Sequence, residues 1–486
     1  MSVPTEATAL WAQSTVDARF DALPDSVVAQ VKRNVLDACA NAIAGSRADG
    51  IDGVHRLQNE FGGAPETLVL GFGDRLPAPA AAFMNGTMAH ALDFDDTLDE
   101  GPTHVSSSVV PAALACAERR GGVGGQELIT AIAYGEELMC RLALALEETP
   151  FITGWHPAAT QGYFGSALAA SKVLGLDETR TLDALGIAYS QSSGNTQCIM
   201  DGEGALSKRL QVGFAAQGGV LAALLAEKGL TGARKSLEGK YGLYNVYHRG
   251  LYDRSMVVDE IGERFELMGL SFKITPACRA TQYFIDPALQ LVRDHGITPD
   301  RIAAIRLFVP NEEFFLTAPL DIRRTPRQTV HAQFSAIYTV AVSVLRGNPT
   351  IGNFTPDGIT DPEVLAMTSR ISASPDPALA AAFAEGNMLG SSGGYANHPA
   401  VEITTVDGAV HTSRPLVNGA KGGPDNPVGW TELADKFRDC AQNAAVPVDE
   451  RAVERVISVV ADLENVRDVA EVIDALTAAS GAVTVQ

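Results

Sequence analysis

From the start of the chain to about residue 268, apolar residues recur at helical spacing, and this periodicity constrains the fold more than any other feature. Val28, Val31, Val35, Leu36 and Cys39 mark one face of a helix predicted over Val27 to Ala44, and the pattern returns between Leu128 and Leu146. Gly165, Ser166, Ala167, Ala169, Ala170 and Ser171 give a further helix small sides, so its backbone can lie close to its neighbours, as in a tight bundle. Asp177, after Gly175-Leu176, is the predicted N-cap of a helical run through Leu182, Leu185 and Ile187.

The pattern changes after Gly269. Ile302 to Val309 alternates as a strand ended by Pro310, and Val401 to Thr405 runs into Asp407-Gly408, a hairpin-type turn signal. Helix continues between them at Phe334 to Leu345 and returns at Trp430 to Ala441 and Val453 to Leu476. The chain therefore reads as mainly α with an α+β domain inserted: a helical domain over 1–269 and 428–486, and an α+β domain over 270–427. At 486 residues and 46% hydrophobic it can bury more than one core. Gly386 to Pro399 and Gly419 to Pro427 are candidate hinges or rims, and no internal repeat is present.

Composition narrows the function classes. The six cysteines lie far apart with no C-x-x-C pair, so neither a disulfide framework nor a zinc site is expected, and a reducing, cytoplasmic setting fits. No N-terminal targeting signal is read, and the longest apolar runs, such as Ala336 to Leu345, are judged too short and broken to span a bilayer. The formal net charge of -21 repels phosphate backbones and argues against a nucleic-acid partner. An enzyme for anionic substrates must then gather its cations locally against that background.

Chemistry concentrates between Asn85 and His104. An apolar helical stretch runs through His90 into Asp93, Asp95, Asp96 and Thr97, and His104 follows a Gly101-Pro102 break. Asp95 and Asp96 read as helix-terminal or supporting groups, and His90 as a satisfied core histidine. Asp93 and Thr97, one helical turn apart, are expected to share a face. His90, Asp93, Asp95, Asp96 and Asp99 also admit a metal reading, with carboxylates at helical spacing holding Mg²⁺ or Mn²⁺. With no second acidic cluster that reading is the weaker one, and no metal is assigned. A non-enzymatic binding role is weaker still, since a binding module rarely needs two histidines beside two lysines.

The run Asn85 to Ala117, closing with Ser106-Ser107-Ser108-Val109-Val110-Pro111, resembles the MmgE/PrpD family of 2-methylcitrate dehydratases, cis-aconitate decarboxylases and iminodisuccinate epimerases. Thr153 to Thr160, Leu206 to Arg209, Phe272 to Arg279 and Asp435 to Cys440 agree in the same order. The resemblance implies a helical bundle with a smaller lid-like domain, a homodimer, and a cofactor-independent lyase that decarboxylates or dehydrates a small di- or tricarboxylic acid. Its alternative is an epimerase or isomerase of a similar acid. All three reactions make or consume a proton at a carbon next to a carboxylate, which calls for fixed positive charge and a placed proton carrier.

On the matching positions, Lys208, Lys273 and Arg279 are the candidate carboxylate clamps, with Lys273 also able to exchange protons. His104 and His156 are the candidate acid and base, and Asp93 and Thr97 orient a histidine or hold substrate. Tyr338 matches a tyrosine that the decarboxylase branch places at the pocket. Of the neighbours Lys208 and Arg209, only one can enter the pocket from a helix, and Lys208 is the expected one. The sequence departs from the family pattern at Val105, Gln211, Ile274 and Gln282, the second and fourth of which remove histidines.

Overall fold

The computed structural model describes residues 6–200, 205–384, 398–414, 419–446 and 448–480. The periodic stretches form the helices Asp25–Gly45 and Gly125–Leu144. Asp177 caps Glu178–Gln191, accepting from the Arg180 N–H at 2.8 Å. The small-sided helix is Gly162–Val173, and its closeness to Gly125–Leu144 is literal: a Cβ on Gly165 would lie 2.7 Å from the Gly135 carbonyl oxygen.

Ser207–Glu227 runs through the bundle, packed against Ala78–His90, Gly162–Val173, Glu178–Gln191 and Ser106–Arg120. A Cβ on Gly213 would fall 2.0 Å from Thr87 Oγ1, so glycine is what lets this helix seat on Ala78–His90. Contrary to the expectation from sequence, Ser207–Glu227 is long and apolar enough to cross a membrane. Over half of its most apolar window is buried inside the protein, which is the condition of a core helix.

Two hydrophobic cores result. One draws on residues from Ala7 to Phe272 and again from Val428 to Ala479, with Ile351 added; the other lies between Ala277 and Ile403. The second is built on a four-stranded sheet in the order Ile371–Pro375, Ile302–Val309, Val401–Thr405, Val410–Ser413. The first pair is parallel and the others antiparallel, with the hairpin turning at Asp407-Gly408. Gln282–His295 and Ala336–Arg346 pack together beside this sheet. The fold is thus mainly α with a smaller α+β part.

After the sheet the chain returns to the helical core. Trp430–Gln442 packs on Asp25–Gly45. The single helix predicted over Val453 to Leu476 is instead two, Glu450–Ala461 and Ala470–Ala479. Between them the backbone leaves helical geometry to bond elsewhere: Gly125 N–H donates to Val466 O, and Val469 N–H to Val123 O. A two-residue ladder pairs Thr97 with Ser271 and Leu98 with Leu270, tying the acid-rich segment to the strand that leads to Lys273. The Gly386 to Pro399 loop lies almost wholly outside the described residues; Gly419 to Pro427 is described and is fastened to Phe272, whose N–H donates to Gly422 O.

Candidate active site

Ala78–His90 ends at His90, and Asp93 stands beyond it at φ 51°, a left-handed conformation that aspartate tolerates. The expected helical face shared by Asp93 and Thr97 therefore does not exist: Asp93 sits in the turn and Thr97 on the short ladder. Both still line one cleft of about 110 Å³ between the two cores, together with His104, His156, Lys208 and Arg279. The second core contributes Cys278, Phe315 and Phe334 to its wall.

At the inner end Asp93 is shared by two lysines. Lys273 Nζ donates to Asp93 Oδ1 at 2.5 Å and to its carbonyl at 2.9 Å, while Lys208 Nζ lies 3.3 Å from Oδ2. Burial opposes a charge on Asp93, but Lys208 and Lys273 outweigh it and hold the carboxyl well below the usual range. Burial likewise works against a charged Lys273, and Asp93 and Asp95 overcome it and raise its pKa.

Hydrogen-bond partners fix the histidine tautomers. His104 Nδ1 lies 2.9 Å from the Asp96 carbonyl, which can only accept, so Nδ1 carries the proton and Nε2 presents a lone pair. Nε2 is 3.9 Å from Asp93 Oδ1. His90 Nδ1 donates to Asp95 Oδ2 at 2.8 Å, leaving Nε2 to accept from Lys208 Nζ at 2.8 Å. His90 is thus a satisfied core histidine, as read from sequence, and it also wires Asp95 to Lys208. Burial drives His104 well below the ordinary histidine range and His156 down to about 3, with Lys208 adding to the effect on His156. His156 stands at the N-cap of the short helix Pro157–Thr160 without a side-chain cap bond, and among the described residues its buried Nδ1 has no hydrogen-bond partner.

The remaining acids support. Asp96 accepts from the Ser106 N–H at 3.1 and 3.3 Å, at the start of Ser106–Arg120. Burial, reinforced by Asp95, Glu136 and Asp37, pushes its pKa well up. His90, Asp95 and His104 bring three ligand-type atoms within 4.8 Å of one another. His90 Nδ1 is spent on Asp95 and His104 Nδ1 on a carbonyl, with two lysines adjoining, an arrangement suited to anions rather than to a divalent cation.

At the outer rim Arg279 is not a free clamp. Its Nε lies 3.0 Å from Asp99 Oδ1 and its Nη2 2.8 Å from Oδ2, while Nη1 donates to Lys421 O. Ser271 Oγ donates to the same carboxylate. Arg209 turns away from the cleft and donates to Asp49 O, leaving Lys208 as the one of the two that enters.

Tyr338 is not brought to the site. It is buried in the second core, its hydroxyl donating to the carbonyls of Asn353 and Gly358 at 2.7 and 3.0 Å. The match to a family tyrosine identified the residue, but helix Ala336–Arg346 presents it to Phe354 instead. Gln211, in place of a family histidine, brackets Asn195 and Cys198 and so orders the stretch that carries Thr196 and Ile199 to the cleft wall. Gln282 bonds Asp286, away from the cleft. The His90–Asp95 link, a bond between two buried side chains on either side of the left-handed turn, was not expected from the sequence.

The MmgE/PrpD N-terminal domain matches residues 10–253 and the MmgE/PrpD C-terminal domain residues 275–463. Human cis-aconitate decarboxylase is 29% identical over 456 residues, covering 92% of this chain and 89% of its own. The mouse cis-aconitate decarboxylase is 29% identical over 458 residues, 92% and 88% of the two chains. That of Aspergillus terreus is 26% identical over 480 residues, covering 94% and 93%.

Proposed function

Because the chain belongs to the MmgE/PrpD family, we propose that it is a cofactor-independent lyase for a small tricarboxylic acid, with decarboxylation of cis-aconitate as the leading reaction. Dehydration of an acid such as 2-methylcitrate is its companion reading. The observation that carries the proposal is Asp93 held between Lys208 and Lys273, with His104 Nε2 open on the same cleft.

The free inner end is balanced: Lys208 and Lys273 face the carboxylates of Asp93 and Asp95, and burial keeps the histidines neutral. An arriving polyanion upsets that balance and favours imidazolium, so binding loads a proton onto His104 or His156. Loss of CO2 breaks the bond to one carboxylate carbon and leaves the electron pair on a carbon conjugated with a second carboxylate. Lys208 and Lys273 stabilise that charge, and His104 Nε2–H delivers the proton that completes the product. In dehydration, neutral His104 removes a proton next to a carboxylate while protonated His156 helps hydroxide leave as water. No step requires a metal or an organic cofactor.

The same reading carries a cytoplasmic homodimer, checked for its assembly by light scattering on the eluted protein. The chemistry is tested by incubating the protein with cis-aconitate, 2-methylcitrate and imino analogues in deuterated buffer and following proton NMR. The expected result is loss of cis-aconitate with CO2 release and one deuterium in the product. Exchange without loss of CO2 or water would move the chain to the isomerases, and an unchanged panel would remove the proposal.

A further inference from the structure

The stretch Asp435-Lys436-Phe437 agrees with the family yet contributes nothing to the cleft surface, and its lysine has an unusual setting. Lys436 is 8% exposed, on the helix Trp430–Gln442 that brings the chain back to the helical core. Its Nζ donates to the Phe94 carbonyl at 2.6 Å and the Lys273 carbonyl at 3.1 Å, and pairs with Asp37 Oδ1 at 2.7 Å. It also lies 3.7 Å from the centre of the Phe94 ring. A buried ammonium is costly unless it is paired and hydrogen-bonded, and here two carbonyls accept its hydrogens and a carboxylate pairs with its charge, from three separate segments.

Those segments are the ones the chemistry depends on. Phe94 sits between Asp93 and Asp95, and the Lys273 carbonyl belongs to the residue whose side chain grips Asp93 from the front. Asp37 anchors the assembly to Asp25–Gly45, a helix of the first core. Asp93 occupies a left-handed turn whose own N–H donates to the His90 carbonyl at the helix end at 3.2 Å, while its side chain and carbonyl are held by contacts from other segments.

We infer that Lys436 is a positioning residue for the proposed reaction: from behind the cleft it ties the backbone of the Asp93 turn to that of Lys273, setting the spacing of the Asp93–Lys273 couple. A carboxylate and two lysines shared at hydrogen-bond distance tolerate little displacement, and a shift of about 1 Å from a residue remote from the chemistry costs about a hundredfold in rate. The inference rests on the lyase reading for its effect on turnover, but its geometric content does not.

The test uses the full-length protein and the double variant Asp37→Asn/Lys436→Met, which removes both charges together and leaves neither buried alone; Lys436→Met is its companion. The double variant is expected to keep the far-UV circular dichroism of the parent. Its kcat should fall about a hundredfold while KM stays within about threefold, because the cleft keeps its groups and loses only their alignment. Carbon-13 labelling of the lysine side chains then follows the titration of Lys273 in the absence of any substrate. Its midpoint should drop as its contact with Asp93 loosens. A kcat within about threefold of the parent, or a Lys273 titration that does not move, overturns the inference. Should no acid in the panel be turned over by the parent, the lyase reading fails and the Lys273 titration still decides the role of Lys436.

Discussion

At the inner end of the cleft one carboxylate, Asp93, is shared by two lysines, whereas at the outer rim Asp99 takes a forked contact from Arg279. The inner groups are the more enclosed: side-chain exposure is 5% for Asp93 and 2% for Lys273, against 14% for Asp99 and 10% for Arg279. The inner end also contains His104, with a lone pair on the cleft, and His90, which links Asp95 to Lys208. No histidine touches the rim pair by hydrogen bond among the described residues. The contrast separates two uses of charge. Groups that share hydrogens can re-deal a proton when an anion arrives; a guanidinium locked onto one carboxylate supplies shape and a fixed field.

The comparison breaks first at His104. His104→Gln keeps hydrogen-bonding capacity and loses titration, and kcat should fall by about a thousandfold, within the range set by removal of a general acid or base. Lys208→Ala and Lys273→Ala should each lower kcat/KM by about a hundredfold or more, since each removes a charge-assisted contact at the inner end. Arg279→Gln, at the rim, should cost about tenfold and do so mainly through KM. Steady-state kinetics on cis-aconitate checks all four, and an Arg279 variant as damaged as the lysine variants would erase the distinction between the two ends. His156→Gln is expected to retain partial activity.

Burial behind the inner end gives a smaller effect, visible in stability. Glu136, bonded to Asn34 at 2.6 Å, is pushed by burial up to about 8. Its unfolded value is near 4.3, so between those values the folded state holds the proton and the unfolded state has lost it. That contribution is fully present below the unfolded value and disappears as pH rises through the window, by at most about 1.4 kcal/mol per pH unit. Glu136→Gln does not titrate, so its thermal midpoint should gain on the parent steadily from pH 5 to pH 8. A constant gap would mean that Glu136 ionises normally in the fold.

The smallest effect is expected at Tyr338. Tyr338→Phe should leave kcat/KM within about twofold and cost about 1 kcal/mol in urea unfolding, the usual worth of a buried hydrogen bond. A large loss of turnover would return the tyrosine to the chemistry.

Which of these residues were legible in the sequence follows from the kind of constraint each obeys. Lys208 was separable from Arg209 because adjacent residues on a helix diverge, but the length and apolar character of the helix that carries them, Ser207–Glu227, were not read from the sequence. The strand Ile302–Val309 ended at Pro310 because proline cannot continue the ladder. Asp93 and Thr97 were misplaced on a common helical face because the helix stops at His90, and nothing local announces a left-handed aspartate. Lys436 could be seen as part of a motif but not given a role: its partners lie 163 and 342 residues away in sequence, and only folding brings them together. Tyr338 shows the opposite failure, a family position whose surroundings in this chain are a hydrophobic core.

Proton uptake tests the division between the two ends most directly. Propane-1,2,3-tricarboxylate, which cannot react, is titrated into the protein at pH 7 in buffers of different ionisation enthalpy, and the dependence of the measured heat on buffer gives the protons bound. Uptake of about one proton per acid is predicted for the parent and for Arg279→Gln, since the inner histidines are held neutral until the anion arrives, and most of it should vanish in the double variant His104→Gln/His156→Gln. Binding by the parent with no proton taken up, or uptake that survives in the double histidine variant, would contradict the account.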